Sequence, residues 1–158
     1  GMDNPKVYLD ENVMRMCYSH RRLFAQLAAQ LVKEGKKDKA LNLLEYGMKS
    51  IPTNCVPHDY QSGSMDMAKA YFALGQKQKA EQILKELSDK SYQYARWYLS
   101  LNDAKLATSN QDCIYNLYIL DETNKVLKAN NSSLFPELSK RFEALYASYS
   151  MRTGTAAK

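Results

Sequence analysis

Residues 24–52 read FAQLAAQLVKEGKKDKALNLLEYGMKSIP, and this stretch decides the fold. Phe24, Leu27, Ala28 and Leu31 recur at helical spacing, and Ala40, Leu44 and Gly47 do so again after Glu34-Gly35-Lys36-Lys37-Asp38. Apolar residues three and four apart share one helix face. Glycine is costly inside a helix and suits its end, so Gly35 stops the first run. Pro52 lacks the N–H that would continue the second run. Ala28, Ala40 and Gly47 are small enough for two backbones to approach closely. The stretch therefore predicts an antiparallel helical hairpin.

Outward from it, the same signals recur. Asp10 predicts an N-cap with Glu11 in the first turn, where the helix dipole favours an acid. The spacing of Val13, Met16, Cys17, His20, Leu23 and Phe24 extends the first helix back to Glu11, giving 11–34 with that stripe turned inward. The second helix is predicted over 37–51, followed by a two-proline loop, Pro52 to Pro57. A third helix starts near Asp59 or Ser62 and stops at Gly75, and a fourth covers 77–87. A fifth, 91–108, carries Tyr92, Tyr94, Trp97 and Tyr98. A sixth covers 112–129 and ends at Asn130-Asn131-Ser132-Ser133. Ser133 caps a seventh, with Pro136 tolerated in its first turn. The expected organisation is an extended lead-in (1–9), one all-α domain of about seven helices (10–151) and a polar tail (152–158). Within the domain, hairpins cover about 11–51 and 59–90, and a helical cap covers about 91–151.

Gly35-x4-Ala40 returns as Gly75-x4-Ala80, 40 residues on. Around it, Lys37-Asp38-Lys39-Ala40 matches Lys77-Gln78-Lys79-Ala80, and Ala28, Leu31 and Leu44 match Ala68, Tyr71 and Leu84. Internal similarity at such a period is the mark of stacked hairpins that bury a shared core. The order and spacing of Phe24, Leu27, Ala28, Leu31, Gly35, Ala40, Leu44, Gly47 and Pro52 resemble the tetratricopeptide repeat. The second copy fits at Met67, Ala68, Tyr71, Gly75, Ala80 and Leu84 and departs at Ser64, Leu87 and Tyr92. The period is also longer than that family's, which is about 34 residues. The resemblance implies a right-handed superhelix of antiparallel hairpins. It places the first helix of each pair on a groove for a protein or peptide segment, here Arg22, Ala25, Ala29, Lys33, Met65, Lys69 and Phe72. The members that grip C-terminal carboxylates use Lys and Asn where this chain has Ala25 and Ala29, so that ligand is not implied.

Composition narrows the function. With 45% hydrophobic and 25% charged residues, the chain falls in the ordinary globular range. Its 6 glycines and 4 prolines are too few for an all-β fold rich in turns. A net charge of +5 over 158 residues is mild, and no nucleic-acid partner is expected from it. No apolar run reaches the length of a membrane span, so direct membrane insertion is not expected. Three cysteines, Cys17, Cys55 and Cys113, suggest no disulfide framework. Cys17 and Cys113 fall in helical patterns as small core residues.

Cys17-x2-His20 and Cys55-x2-His58 have spacing that could reach a zinc ion. The helical stripe already accounts for Cys17, and the tight paired motifs of structural zinc are missing, so no metal is expected. Asp10-Glu11 is explained by the helix start rather than by acid–base catalysis. Arg15, His20, Arg21 and Arg22 form a basic strip that reads as a solvated helix face. No phosphate loop, nucleophile elbow or His-Glu-x2-His run is present, so neither a cofactor nor catalysis is expected of this chain.

Tyr8-Leu9-Asp10-Glu11, Arg22-Leu23-Phe24-Ala25-Gln26-Leu27-Ala28, residues 31–40, Ile51-Pro52 and Tyr71-x3-Gly75 form a more particular series. It resembles the C-terminal soluble region of a bacterial family of multi-span membrane proteins, a domain of unknown function similar to protein O-mannosyltransferases. The likeness covers about residues 4–100, and the Tyr8–Glu11 lead-in is the part that generic repeats do not explain. It implies an accessory domain on the periplasmic side of the inner membrane. Such a domain would dock a protein acceptor, another partner or the membrane portion of its own polypeptide, with any sugar transfer occurring elsewhere. The alternative is a stand-alone scaffold, cytoplasmic if Met2 is the native start, that binds a peptide or self-assembles.

Overall fold

The computed structural model describes Asn4 and residues 6–154, and the expectations for residues 1–3, 5 and 155–158 lie outside it. Its elements are α1 (Glu11–Lys33), α2 (Lys37–Ser50), α3 (Ser64–Ala73), α4 (Lys77–Ser100), α5 (Asp103–Thr108), α6 (Asn110–Ala129) and α7 (Phe135–Thr153). The chain is all-α, with no strand among the described residues. It divides into two compact units, Gly1–Leu87 and Ser88–Lys158, and the division falls inside α4.

In the first unit, α1 begins where Asp10 accepts a hydrogen bond from the Val13 amide at 2.9 Å. It ends in a Schellman turn: the Lys36 amide reaches the Leu31 carbonyl, the Gly35 amide reaches that of Val32, and Gly35 has φ +74°. Forty residues on, Gln76 reaches Tyr71, Gly75 reaches Phe72, and Gly75 again has φ +74°. The sequence echo is thus reproduced bond for bond, because both turns need a left-handed residue after the helix. Helix α1 packs against α2 and α3. Ala28, Ala40, Ala68 and Ala80 are all fully buried. A Cβ on Gly47 would lie 2.9 Å from the Phe24 ring, so its missing side chain sets how closely α1 and α2 approach.

Helix α3 starts at Ser64, later than expected, because Gly63 takes φ +72° and interrupts helical continuation. That conformation lets its Cα pass α1; a Cβ there would meet the backbone of Arg22 at 2.9 Å.

The second unit corrects the predicted fourth and fifth helices. No break occurs at 88–90, and α4 runs on to Ser100. Ser88-Asp89-Lys90 contains no Gly or Pro to stop it, and Ser88 and Ser91 are buried. The break falls at Leu101-Asn102, where the Asn102 side chain caps α5 by accepting from the Lys105 amide. Arg152 then donates to the carbonyls of Leu99 and Leu101 and to Asp103, satisfying acceptors at the end of α4. Helix α6 ends at the expected polar run, with Asn131 at φ 49° in the position that Gly35 and Gly75 hold elsewhere. Ser133 does not cap α7; the residue before that helix is Leu134, which makes no side-chain cap, and Pro136 does lie in the first turn. The core of this unit is Ala95, Leu106, Cys113, Leu117, Leu120, Leu145 and Tyr149. Burial pushes the Cys113 thiol up to about 11, consistent with an inert core residue.

Candidate functional site

Of the seven residues expected on a groove, Arg22, Ala29, Lys33 and Lys69 are exposed, and Met65 and Phe72 are half-buried. Ala25 is a correction: it is 1% exposed and belongs to the buried arc of α1, with Cys17, Arg21 and Ala28. It offers no surface to a partner. The Arg22 guanidinium donates to the Gln61 carbonyl at 3.0 Å.

The basic strip also changes. Arg15 pairs with Glu11 at 2.6 Å, and His20 bonds the Met16 carbonyl through Nδ1. Arg21 leaves the strip altogether and is 1% exposed. Its guanidinium donates to the carbonyls of Val56 (2.6 Å), Ile51 (3.2 Å) and Pro57 (3.3 Å). It thereby fastens the two-proline loop to α1. Burial lowers the Arg21 pKa from its usual value, with Tyr18 and Cys17 opposing that shift.

The four candidate zinc ligands do not converge. Cys17 packs with Ile51 and Val56 in the core. The Cys55 thiol donates to the Asn4 carbonyl, His20 is held by its own helix, and His58 is buried on Ser64. Among the described residues, no group of three or more His, Cys, Asp and Glu is placed to hold a metal ion.

Two features of the first unit stand out. The first is an apolar stripe on α1, expected to face inward and found in solvent. Met16 is 59% exposed, Leu23 53% and Leu27 55%. Spacings of seven and four put them on one face. The helix meets α2 and α3 along its small-residue arc instead, so the large residues flank that arc rather than fill it. Beside them Phe24 meets the ring of Tyr46 edge-on at 5.8 Å, and Tyr46 is itself 63% exposed.

The second is a cavity of about 430 Å³ lined from α2, α3, α4 and the loop. Helix α4 supplies Lys79, Gln82, Ile83 and Glu86, an i, i+3, i+4, i+7 face, and α2 supplies Glu45 and Met48. On one side the Glu45 carboxylate accepts from the Tyr71 hydroxyl at 3.0 Å and pairs with Lys79 at 2.7 Å. Burial first, then Glu45, raises the Tyr71 pKa. On another side stands His58, its side chain 2% exposed.

The His58 tautomer follows from a chain of short hydrogen bonds. Ser62 Oγ lies 2.6 Å from the Asp59 carbonyl, which can only accept, so the Ser62 proton goes there. Ser62 Oγ and Ser64 Oγ are 2.5 Å apart, and that contact takes the Ser64 proton. Ser64 Oγ and His58 Nδ1 are also 2.5 Å apart, so Nδ1 carries the hydrogen. Nε2 is then left with a lone pair, and Glu86 Oε2 stands 3.8 Å from it, beyond hydrogen-bond range. Burial, and next the charge of Arg21, lower the His58 pKa to about 4, so the ring is neutral at ordinary pH. None of the expected groove residues lines this cavity. Most of its residues are polar and scattered over four segments, and in one dimension they read as solvated helix faces.

In the second unit, α6 and α7 enclose a groove of about 520 Å³ that includes Ile114, Tyr118, Phe142 and Tyr146. Its one carboxylate, Asp121, is paired with Lys125 at 2.6 Å. Trp97 is exposed, whereas Tyr92 is half-buried and holds Arg141 at 4.5 Å and Arg96 at 5.9 Å over its ring.

No family model, no curated protein and no solved structure matches the chain.

Proposed function

We propose that the chain is a non-catalytic docking module, a short tetratricopeptide-like superhelix of hairpins that meets a protein segment through the α1 stripe. The observation that carries this reading is the exposure of Met16, Leu23 and Leu27 on a single helix face. Fully burying a side chain of this size contributes about 1.5–3 kcal/mol, so a partner covering the remaining half of each gains a worthwhile fraction of that. Terminal repeats ordinarily present a polar outer face. An apolar one suits a further helix laid along α1.

Replacing Leu23 and Leu27 together by Glu tests it. Both are already half in solvent, so the helical circular dichroism and melting temperature should hold. Association, measured by sedimentation velocity on the chain alone and by binding to the polypeptide encoded upstream of it, should be lost. Association that survives the double substitution would sink the reading, and so would a wild-type chain that associates with neither.

The resemblance at Tyr8–Glu11 favours one partner in particular, the membrane portion of a glycosyltransferase-like protein on the periplasmic side. Membrane-spanning segments encoded in frame upstream of Gly1 would support that assignment, and a native start at Met2 would exclude it in favour of a self-assembling scaffold. Among the described residues no helix is long and apolar enough to cross a membrane.

A further inference from the structure

We propose that the cavity between α2, α3 and α4 is a binding site for an alkyl ammonium group, such as a lysine side chain. The site is separate from the α1 stripe and does not depend on it. Two acceptors face each other across 3.8 Å: the lone pair of His58 Nε2 and the carboxylate oxygen Oε2 of Glu86. Among the described residues no protein donor lies between them. The gap is too long for a direct hydrogen bond, yet one nitrogen about 2.8 Å from each could bridge it. His58 cannot turn its hydrogen toward Glu86, because Nδ1–H is committed to Ser64 and Ser64 in turn to Ser62. The side chain is almost wholly buried, so this acceptor is oriented in advance toward whatever enters the cavity.

The rest of the lining selects the ligand. Carboxylates outnumber cations: Glu45 and Glu86 line the space, with Lys79 the one cation among its lining residues. Lys79 is held on Glu45 at 2.7 Å, which leaves Glu86 with a neutral partner, the amide of Gln82. Arg21 carries charge near His58 but does not line the cavity; burial first, and then that charge, keep the imidazole neutral. Met48 and Ile83 supply apolar wall for a methylene stem. A volume of about 430 Å³ exceeds what a single water fills. An anion would meet two carboxylates, and a neutral alcohol would leave the Glu86 charge uncompensated.

The test uses Nα-acetyl-lysine amide and n-butylamine as probes, with Nα-acetyl-norleucine amide as the uncharged match of the same stem. Binding is followed by NMR, through backbone amides of α4 and the imidazole nitrogens of His58. The two amines should give saturable shifts at Ile83 and Glu86, and the norleucine compound should not. Glu86→Gln should weaken amine binding about tenfold or more, the loss of one charge-assisted contact. Glu86 lies half-buried on a helix surface, so this variant keeps its fold, and its unchanged spectrum elsewhere verifies that. The free protein should show Nδ1 protonated and Nε2 bare. The proposal is overturned by equal shifts from norleucine amide, by no saturable shift with either amine, by binding unaltered in Glu86→Gln, or by a hydrogen on Nε2.

Discussion

Arg21 and His58 show how far a single side chain can depart from what its neighbours in sequence suggest. Arg21 sits in a run of basic residues, and its neighbours Arg15, His20 and Arg22 are exposed. It is buried because three loop carbonyls need donors, and a guanidinium offers five in a fixed fork. Its Nε finds no partner, the residue of a compromise in which the loop's needs outweigh those of the side chain. His58 depends on this arrangement, since the carbonyl of Pro57, its neighbour in the chain, is one of those that Arg21 holds. Its folded pKa, about 4, lies below the ordinary value of 6.5. Below pH 6.5 the unfolded chain therefore takes up a proton that the folded ring refuses. Stability is full above about pH 6.5 and declines as pH falls toward 4, by roughly 3 kcal/mol in all. Denaturant titrations across that window should show the slope in the wild type and its loss in His58→Gln. Parallel curves for the two proteins would mean that the buried ring is not its origin.

At the scale of elements, the glycine-terminated helix ends were the most legible part of the chain. Gly35 and Gly75 close α1 and α3 with the same two hydrogen bonds and the same φ. A side chain at either would meet nothing within 4 Å, so its cost is conformational alone, about 1–2 kcal/mol. Gly63 shares the left-handed φ but also lies against the backbone of Arg22. Gly35→Ala and Gly75→Ala should therefore destabilise equally, and Gly63→Ala by several kcal/mol, because α1 and α3 must move apart. Thermal unfolding of the three variants measures the order directly; a Gly63→Ala protein as stable as the other two would refute the close approach. The continuous α4 was not legible, since Ser88-Asp89-Lys90 neither favours a helix strongly nor stops one. Such a segment takes the state of its surroundings, and here Ser88 and Ser91 are buried along one continuous helix. The Leu101-Asn102 break was readable in principle: Asn is a strong N-cap and stands before a helix-forming run.

For the molecule as a whole, the kind of force at the proposed docking surface is open to measurement. The net charge is +5, and exposed Arg22, Lys33 and Lys69 could attract an acidic partner. The α1 stripe is apolar. Raising ionic strength from about 0.1 M to about 1 M shortens the screening length from ~10 to ~3 Å. Association through the stripe should hold or strengthen under that change when followed by sedimentation, and a steep weakening would move the contact to the charged face. The all-α class and the two matching helix ends were determined by the sequence alone, through apolar spacing, the two glycine turns and the small residues at Ala28, Ala40, Ala68 and Ala80. These are local signals, carried by hydrogen bonds and contacts a few residues apart. Which face of α1 would be buried was a different matter. Periodicity identifies an apolar arc, but Met16, Leu23 and Leu27 compete with Cys17, Ala25 and Ala28 for the same inward position. Close approach of α2 and α3 favoured the small residues. The cavity lay further still from the sequence, because His58, Glu86, Glu45 and Tyr71 come from separate segments and only packing brings their polar atoms together. Tertiary structure alone decided which way the His58 proton points, since that depends on a relay through Ser64 and Ser62 to one carbonyl of the loop.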